Sequence, residues 1–392
     1  MSATHRDDLA SLLAALVDIS TENPPGEERA CAEFVVEWFE QRDIDAELVG
    51  DPFEDRPQAA ARIGDGEPTL VLNGHLDVVP ASDPDAWTHD PYGGDIEDGR
   101  LYGRGSADMK AGIAVAMLVA ADLQGEIESG TLDGSLVVHG AIGEETGDPG
   151  TKRLLECGWG GDYGIVLEPT DFRVATSAKG LAWYDLRATG ESTHASQPDR
   201  ATNAIDAARH LGDAVDEYDA DLRTREDDLV GPAYATVTQF AAGAGTNRAV
   251  IPDEARITVD RRILPNESVD DVDREIAALV ERVAAECDVR VDWERDETGT
   301  YEAASVPVDS PLAETVREHA VAVADAPTDP WGIRASTDVR NFVNDAGIDA
   351  VTWGPGKLEQ AHTVDEYIEL EDAQRGVEVM KQVARDLLSG DG

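Results

Sequence analysis

Three apolar runs, separated by helical segments, are the feature that most limits what this chain can fold into. Residues 69–72, 135–142 and 163–167 are short and almost uninterrupted in apolar character, as strands buried on both faces are. Residues 110–124 lie between the first two runs, have the length of a helix and contain many small residues, which suits close packing on a sheet. Strands that alternate with helices predict an α/β layer fold.

The pattern changes after Gly180, where the segments alternate between apolar and polar residues as half-exposed antiparallel strands do. From about Pro311 the α/β pattern returns. We interpret this as one α/β domain that is interrupted by an inserted α+β domain. The predicted boundaries are residues 1–178 and 294–392 for the two parts of the first domain and residues 179–293 for the insertion.

The charge balance limits the partners of this chain. It has 81 acidic against 32 basic residues, a net charge of −49, and only five of the basic residues are lysine. Nucleic acid and anionic membrane surfaces are therefore poor partners. The acidic residues are spread from Asp7 to Asp391, so they do not form an acidic tail. Such a surface is typical of a salt-loaded cytoplasm, where at ~1 M salt a Debye length of ~3 Å screens the self-repulsion, and we predict a halophilic protein.

The cysteines and the start of the chain predict the compartment. Cys31, Cys157 and Cys287 are isolated, which predicts neither a disulfide framework nor a cysteine-based zinc site and suits a reducing cytoplasm. Acidic residues precede the first short apolar stretch, unlike in a signal peptide. No apolar run reaches the ~18 residues of a membrane span. We predict a cytoplasmic protein.

A histidine and an aspartate follow the first apolar run, in Gly74-His75-Leu76-Asp77. Ligands of α/β proteins bind beyond the carboxyl ends of the strands, so this position favours a functional role. A carboxylate two residues from a histidine can hold the imidazole tautomer and support a metal ligand. A hydrogen-bonded His–Asp pair without any ligand is the alternative.

Other histidines and carboxylates also follow apolar segments or a glycine-rich loop. These residues are Asp108, Glu144, Glu145, Glu168 and His362. Adjacent carboxylates at the end of a buried strand repel each other unless a cation or a proton compensates them. Asp108 as a helix N-cap, and the glutamates as ordinary surface residues of an acidic chain, are the alternatives.

The loop Gly103-Arg104-Gly105 begins like a dinucleotide-binding fingerprint, but Asp108 occupies the third glycine position and would repel a pyrophosphate. Two histidines and several carboxylates, without cysteine, suit Zn²⁺, Co²⁺ or Mn²⁺. The number of these residues suffices for two ions that share one carboxylate, with one glutamate left as a general base.

The order and spacing of these segments, from about residue 19 to 367, resemble the family of aminoacylases, acetylornithine deacetylases and succinyl-diaminopimelate desuccinylases. These enzymes are dinuclear metallohydrolases, and the family also contains carboxypeptidases. The resemblance rests on Gly74-His75-Leu76-Asp77, Gly103-Arg104-Gly105 with Asp108-Met109-Lys110, Glu144-Glu145, Glu168-Pro169-Thr170 and Ala361-His362.

The resemblance implies an α/β metallopeptidase catalytic domain with two divalent metal ions, zinc first and cobalt or manganese as alternatives. By this resemblance Asp108 bridges the two ions. His75 and Glu168 complete one site, and Glu145 and His362 complete the other.

The resemblance also implies that Glu144 is the general base and that Asp77 orients His75. It identifies the insertion as a lid and dimerisation domain. His194 matches a histidine that reaches the partner subunit's site and donates a hydrogen bond to the developing oxyanion, which implies a homodimer.

Three residues of this chain match substrate-binding positions of the family. Arg262, preferred over Arg261, matches an arginine that binds a substrate carboxylate, and Asn247 and Arg334 are further candidates. Asn247 lies two residues before the usual position, which Ala249 occupies here. Gly143 stands where the family usually has an aspartate before the two glutamates, and Ala201 replaces a usual glycine.

Together these features predict a cytoplasmic, dinuclear metal-dependent amidohydrolase that cleaves N-acyl amino acids, of deacetylase or desuccinylase type. A carboxypeptidase or dipeptidase of the same family is the alternative. A non-catalytic cation-binding protein is disfavoured, because a pure binding site has no use for the base Glu144. A nucleotide-dependent oxidoreductase is disfavoured by Asp108.

Overall fold

The computed structural model describes residues 3–243, 245, 247–287 and 289–389. Within them the helices are α1 (Ala3–Asp18), α2 (Arg29–Glu40), α3 (Lys110–Glu128), α4 (Gly150–Leu154), α5 (Ala204–Leu222), α6 (Val269–Cys287), α7 (Pro311–Ala324) and α8 (Leu370–Leu388). In this part of the chain no helix combines the length and the apolar character needed to cross a membrane.

The strands of the described residues are numbered β1 to β20 in chain order. The first ten are β1 (Asp45–Val49), β2 (Gln58–Ile63), β3 (Thr69–His75), β4 (Ile96–Glu97), β5 (Arg100–Tyr102), β6 (Ser135–Ala141), β7 (Tyr163–Val166), β8 (Ala175–Ala178), β9 (Gly180–Thr189) and β10 (Thr193–His194). The others are β11 (Glu226–Asp227), β12 (Gly231–Pro232), β13 (Tyr234–Ala242), β14 (Val250–Ile251), β15 (Glu254–Ile263), β16 (Arg290–Tyr301), β17 (Ala304–Ser305), β18 (Trp331–Ile333), β19 (Asp349–Thr352) and β20 (Tyr367–Glu369).

The chain divides into two compact units. Unit 1 comprises Met1–Ser177, Ser305–Ile333 and Thr337–Gly392, and unit 2 comprises Ala178–Ala304 and Arg334–Ser336. The insertion thus extends beyond residue 293, because β16 continues to Tyr301 and pairs with β9 along most of its length.

Unit 1 contains a nine-stranded sheet in the order β1-β2-β6-β3-β7-β19-β8-β17, with β18 paired to β8. Its four central strands, β6, β3, β7 and β19, are parallel. Every residue of β3 and β6 is buried, as expected for strands covered on both faces. The α/β fold predicted from the alternation of strands and helices is confirmed.

The register of the parallel strands places their carboxyl ends at one edge of the sheet. His75 pairs with Ala141, and Val166 pairs with both Asn73 and Thr352. Helix α3 packs on this sheet at close range, because a Cβ on Gly112 would lie 2.3 Å from the carbonyl oxygen of Leu167. The segments that follow the four strands therefore start from neighbouring positions.

Unit 2 is built on a four-stranded antiparallel sheet in the order β13-β15-β9-β16. Alternate residues of β9 and β15 are buried beneath α5 and α6, and together they form the core of this unit. Strand β13 lies at an edge of the sheet, and its second half is exposed. Its Phe240 side chain is 51% exposed.

Candidate metal centre

Asp108 lies between two histidines at the carboxyl edge of the sheet of unit 1. Its Oδ1 is 3.3 Å from His75 Nε2, and its Oδ2 is 3.5 Å from His362 Nε2. Glu168 Oε1 is 3.8 Å from the first imidazole, and Glu145 Oε1 is 3.1 Å from the second. The five side chains thus form two half-sites, each with one imidazole and one glutamate, on either side of the shared carboxylate.

The chemistry of this set fits divalent cations. Donor atoms of His75, Asp108 and Glu145 all lie within 4.8 Å of one another. Asp108 Oδ1 is buried and accepts no hydrogen bond from any described residue. Burial and the charge of Asp108 raise the pKa of the Glu168 carboxyl well above its ordinary value. Buried carboxylates this close together need positive charge, which two cations of the borderline class would supply.

The two histidines beside these carboxylates have raised pKa values. Burial opposes the protonation of His75, but the close contact with Asp108 and the charge of Glu168 raise its pKa well above the ordinary value. The hydrogen bond with Glu145 raises the pKa of His362 to about 9. In the protein without metal, protons on the imidazoles therefore offset the carboxylate charge that a cation would otherwise neutralise.

The carboxylate of Asp77 makes hydrogen bonds to the neighbouring loop and not to His75. The Nδ1 of His75 donates to the carbonyl oxygen of Asp77 at 2.9 Å, whereas the Asp77 carboxylate is 3.7 Å away. That carboxylate accepts hydrogen bonds from the backbone N–H groups of Gly143 (2.9 Å) and Glu145 (3.2 Å) and from the Asn23 amide (3.1 Å). The imidazole is thus fixed by the backbone, and Asp77 fixes the loop that carries both glutamates.

Gly143 explains how this loop can turn directly after β6. It has a φ of +77°, which favours glycine, and a Cβ there would lie 2.2 Å from Cβ of Asp148. The turn brings Glu144 and Glu145 into one short 3₁₀ turn. A glycine at this position thus allows the turn without moving Asp148.

The surroundings of Glu144 raise its affinity for a proton. Burial, with the nearby charges of Asp338 and Glu145, raises the pKa of Glu144 to about 8, although His75 and Arg340 oppose this rise. A cation bound beside it would lower that pKa again. The carboxyl group therefore lies in a setting where its proton affinity suits proton transfer near neutral pH.

Arg340 and Asp338 border Glu144. Asp338 lies in the same segment as Arg334 and matches a position where some family members bind substrate carboxylates, whereas Arg340 was not identified from the sequence. Arg340 Nη1 lies 3.8 Å from Glu144 Oε1, and Nη2 lies 3.5 Å from Asp338 Oδ1. Asp338 in turn accepts hydrogen bonds from Thr151 at 2.7 Å and from the Asn341 amide at 2.9 Å. The contacts of Arg340 with Glu144 and of Thr151 with Asp338 join segments far apart in the chain, so no local spacing could have revealed them.

The four remaining candidates lie in unit 2. His194 is exposed, and its Nδ1 lies 2.8 Å from the hydroxyl of Ser196. Asn247 is exposed, and its side chain accepts a hydrogen bond from the backbone of Ala249. Arg334 is also exposed. These four residues and the seven candidates of unit 1 therefore belong to different units.

The two arginines at the end of β15 have different environments. Arg261 is fully buried and is held by Tyr218 and Glu267. Arg262 points to the opposite face of the sheet, is 30% exposed and pairs with Asp260 at 2.9 Å. Arg262 is therefore the one that a ligand could reach.

Lys179 belongs to a cationic group in unit 2 that the sequence did not reveal. It is 1% exposed, donates to the carbonyl oxygen of Pro232 and lies 4.1 Å from the ring centre of Tyr234. Burial, together with the positive charges of Arg334 and Arg262, lowers its pKa to about 8. Three cations that repel one another in a strongly acidic protein form a place where an anion would be stabilised.

The sequence profile of peptidase family M20/M25/M40 matches residues 71–386. The chain belongs to this family. An M20 member is a metal-dependent hydrolase that acts on amides, so the predicted enzyme class is confirmed. The suspected family is confirmed as well.

Relatives and solved M20 structures cover most of the chain. A succinyl-diaminopimelate desuccinylase of Xanthomonas oryzae is 32% identical over 79% of this chain and 81% of its own, and a probable succinyl-diaminopimelate desuccinylase of Staphylococcus aureus is 27% identical over 98% of both. An M20 metallo-carboxypeptidase from Sulfolobus solfataricus superposes with a TM-score of 0.78 at 18% identity, covering 98% of this chain and 99% of its own. A dinuclear metal-binding M20 peptidase from Bacillus subtilis has a TM-score of 0.71 at 17% identity over 99% of both chains.

Proposed function

We propose that this M20 enzyme hydrolyses the amide bond of N-acyl amino acids with two divalent ions held by His75, Asp108, Glu145, Glu168 and His362. One observation carries the proposal: the two oxygens of Asp108 each face a different imidazole, at 3.3 Å and 3.5 Å. A carboxylate so placed can bridge two ions. Zinc suits this nitrogen and oxygen donor set, and cobalt or manganese would serve as substitutes.

Glu144 is the residue that moves protons in this proposal. It removes a proton from the attacking water and returns it to the amine that leaves, so that the C–N bond breaks as the amine is protonated. Bound ions would polarise the amide carbonyl and lower the pKa of the water. Asp77 keeps Glu144 in place through the backbone of Gly143 and Glu145, and His194 donates a hydrogen bond to the developing oxyanion.

The substrate carries at least one carboxylate in this proposal. Lys179, Arg262 and Arg334 form a cationic group. Burial and the repulsion from the two arginines lower the pKa of Lys179, and a bound carboxylate would relieve that repulsion. The desuccinylase relatives act on a substrate with such a group, which favours an N-succinyl or other N-acyl amino acid. The carboxyl terminus of a peptide has the same chemistry, which keeps a carboxypeptidase or dipeptidase as the second candidate.

Metal removal and a substrate panel test the proposed activity. N-acetyl amino acids, N-succinyl amino acids and dipeptides would be offered to the enzyme at high salt, and the released amine measured. Metal-depleted protein is expected to be inactive, and Zn²⁺, Co²⁺ or Mn²⁺ is expected to restore activity toward one class. Activity that survives complete metal depletion would contradict the mechanism, and cleavage of dipeptides alone would select the second candidate.

The cytoplasm is the proposed compartment. Cys31, Cys157 and Cys287 are all free thiols in the structure. Free thiols persist in a reducing compartment, whereas secreted proteins tend to pair theirs.

Adaptation to high salt predicts that the folded protein is more stable at high salt than at low salt. Lowering KCl from ~2 M to ~0.01 M lengthens the Debye length to ~30 Å, so repulsion among the acidic residues acts across the whole molecule. We therefore expect the Tm to fall steeply between these two conditions. A non-ionic osmolyte at equal osmolarity is the control, and a Tm that is equal or higher at low salt would refute the halophilic assignment.

A homodimer is proposed through unit 2. Strand β13 lies at an edge of its sheet, where no further described strand pairs with it, and its residues from Val237 onward are mostly exposed, including Phe240. Exposed strand edges are usually covered in a native assembly, and pairing with a second copy would cover this one. Each protomer would then offer its His194 to the site of its partner.

A further inference from the structure

Glu366 is a fully buried carboxylate that the proposed mechanism does not use. It lies four residues after His362, directly before β20, and its side chain is 0% exposed. A buried carboxylate is costly unless its oxygens are satisfied, so its contacts indicate what it does.

Its contacts all lie on the loop that carries Asp108. Oε1 accepts hydrogen bonds from the backbone N–H groups of Ala107 (3.0 Å) and Asp108 (3.1 Å). Oε2 accepts from Arg104 Nη1 at 2.5 Å, and the carbonyl oxygen of Glu366 accepts from the N–H of Gly103 at 2.9 Å. One residue thus binds the loop at four points over residues 103–108.

The partner Arg104 is itself fixed. Its guanidinium lies 5.2 Å from the ring centre of Trp87, and its side chain is 3% exposed. The neighbouring strand β20 pairs with β5, which ends just before the loop. The loop is therefore held between a strand pair and a buried ion pair, with its backbone N–H groups tied to one carboxylate.

We propose that Glu366 is a positioning residue for the metal centre: it orients the backbone of Asp108 so that the bridging carboxylate meets both half-sites, and it fixes the distance between that carboxylate and His362. This inference rests on the proposed ligand set. The short segment 362–366 would then serve both half-sites. His362 is itself a ligand, and Glu366 positions the ligand Asp108 through the backbone of the neighbouring loop. Such outer partners of metal ligands typically change metal affinity by ~10–100-fold when they are removed.

Metal affinity of the folded protein tests the proposal without using turnover. Glu366→Gln keeps one acceptor oxygen, Glu366→Met keeps the length without any acceptor, and Co²⁺ binding would be measured by competition with a chromophoric chelator. We expect weaker binding in both variants, by ~10-fold for glutamine and up to ~100-fold for methionine. The matched control is Glu369→Gln, because Glu369 is a partly exposed carboxylate three residues away that pairs with Arg100.

The Tm of each metal-free variant separates positioning from mere stabilisation. A lower Tm with Co²⁺ affinity within about two-fold of wild type would overturn the proposal, as would equal affinity at equal Tm. If neither variant folds, hydrogen exchange of metal-free wild type decides: we expect the amides of Ala107 and Asp108 to be protected before any metal binds. Rapid exchange there would overturn the proposal. A wild type that binds two ions but cleaves no amide would refute the proposed function alone.

Discussion

Replacing Glu144 with glutamine is expected to lower turnover by ~10²–10⁴-fold, the range that general acid–base catalysis supplies. The glutamine side chain has nearly the same shape, but it can neither take a proton from water nor return one to the leaving amine. Metal content should stay at the wild-type value, because Glu144 is not one of the proposed ligands. Steady-state kinetics and metal analysis of the same preparation would measure both quantities.

The adjacent Glu145 offers the matched control. Glu145→Gln makes the same chemical change one residue away, at a proposed ligand 3.1 Å from His362 Nε2, and it should reduce the metal content. Wild-type turnover in Glu144→Gln would refute its role as the base. Loss of metal in that variant would instead identify Glu144 as a ligand.

Mixing two inactive variants, His194→Ala and Glu144→Gln, is expected to restore activity if the proposed dimer completes its sites in trans. Losing an oxyanion donor typically costs ~10²–10³-fold in turnover, so each variant alone should be nearly inactive. In a mixed dimer one site combines an intact Glu144 with the partner's intact donor. Activity should therefore return to about one working site per heterodimer.

Subunit exchange must be shown independently, for example by native mass spectrometry of tagged protomers. Homodimers of each variant, treated in the same way, provide the baseline. Heterodimers that form without any gain in activity would mean that His194 acts within its own chain or has no catalytic part.

The ends of the buried strands were predictable, because a strand buried on both faces has an uninterrupted apolar sequence. The runs that became β3, β6 and β7 are apolar throughout, and the polar residues after them stand out sharply. Strands β1 and β2 were not predicted. Half of Gln58–Ile63 is alanine, and Ile63 is the one β-branched residue there, so the segment lacks the pattern that marks strands. In strand β16 a single residue is fully buried and half of the residues are exposed, so its sequence carries no clear apolar pattern either.

The candidate site was predictable only as a set of residue types. Adjacent carboxylates and histidines predicted cations, and the resemblance predicted which residue would be shared. The contacts of Asp77 with the backbone of residues 143 and 145, and of Glu366 with the Asp108 loop, depend on how distant segments meet. No local pattern records such contacts, because they arise from chain reversal and packing.

The insertion of unit 2 has a consequence for how the protein is made. Apart from residues 334–336, unit 2 is one continuous stretch with its own core, so it can fold while synthesis is still under way. The sheet of unit 1 cannot close until β19 emerges and lies between β7 and β8. Because His362 follows that strand, a nascent chain carries Asp108 and its neighbouring glutamates without their second imidazole. With the proposed ligand set, complete capture of two ions would therefore be confined to the finished chain, and metal supply would act on the last step of folding.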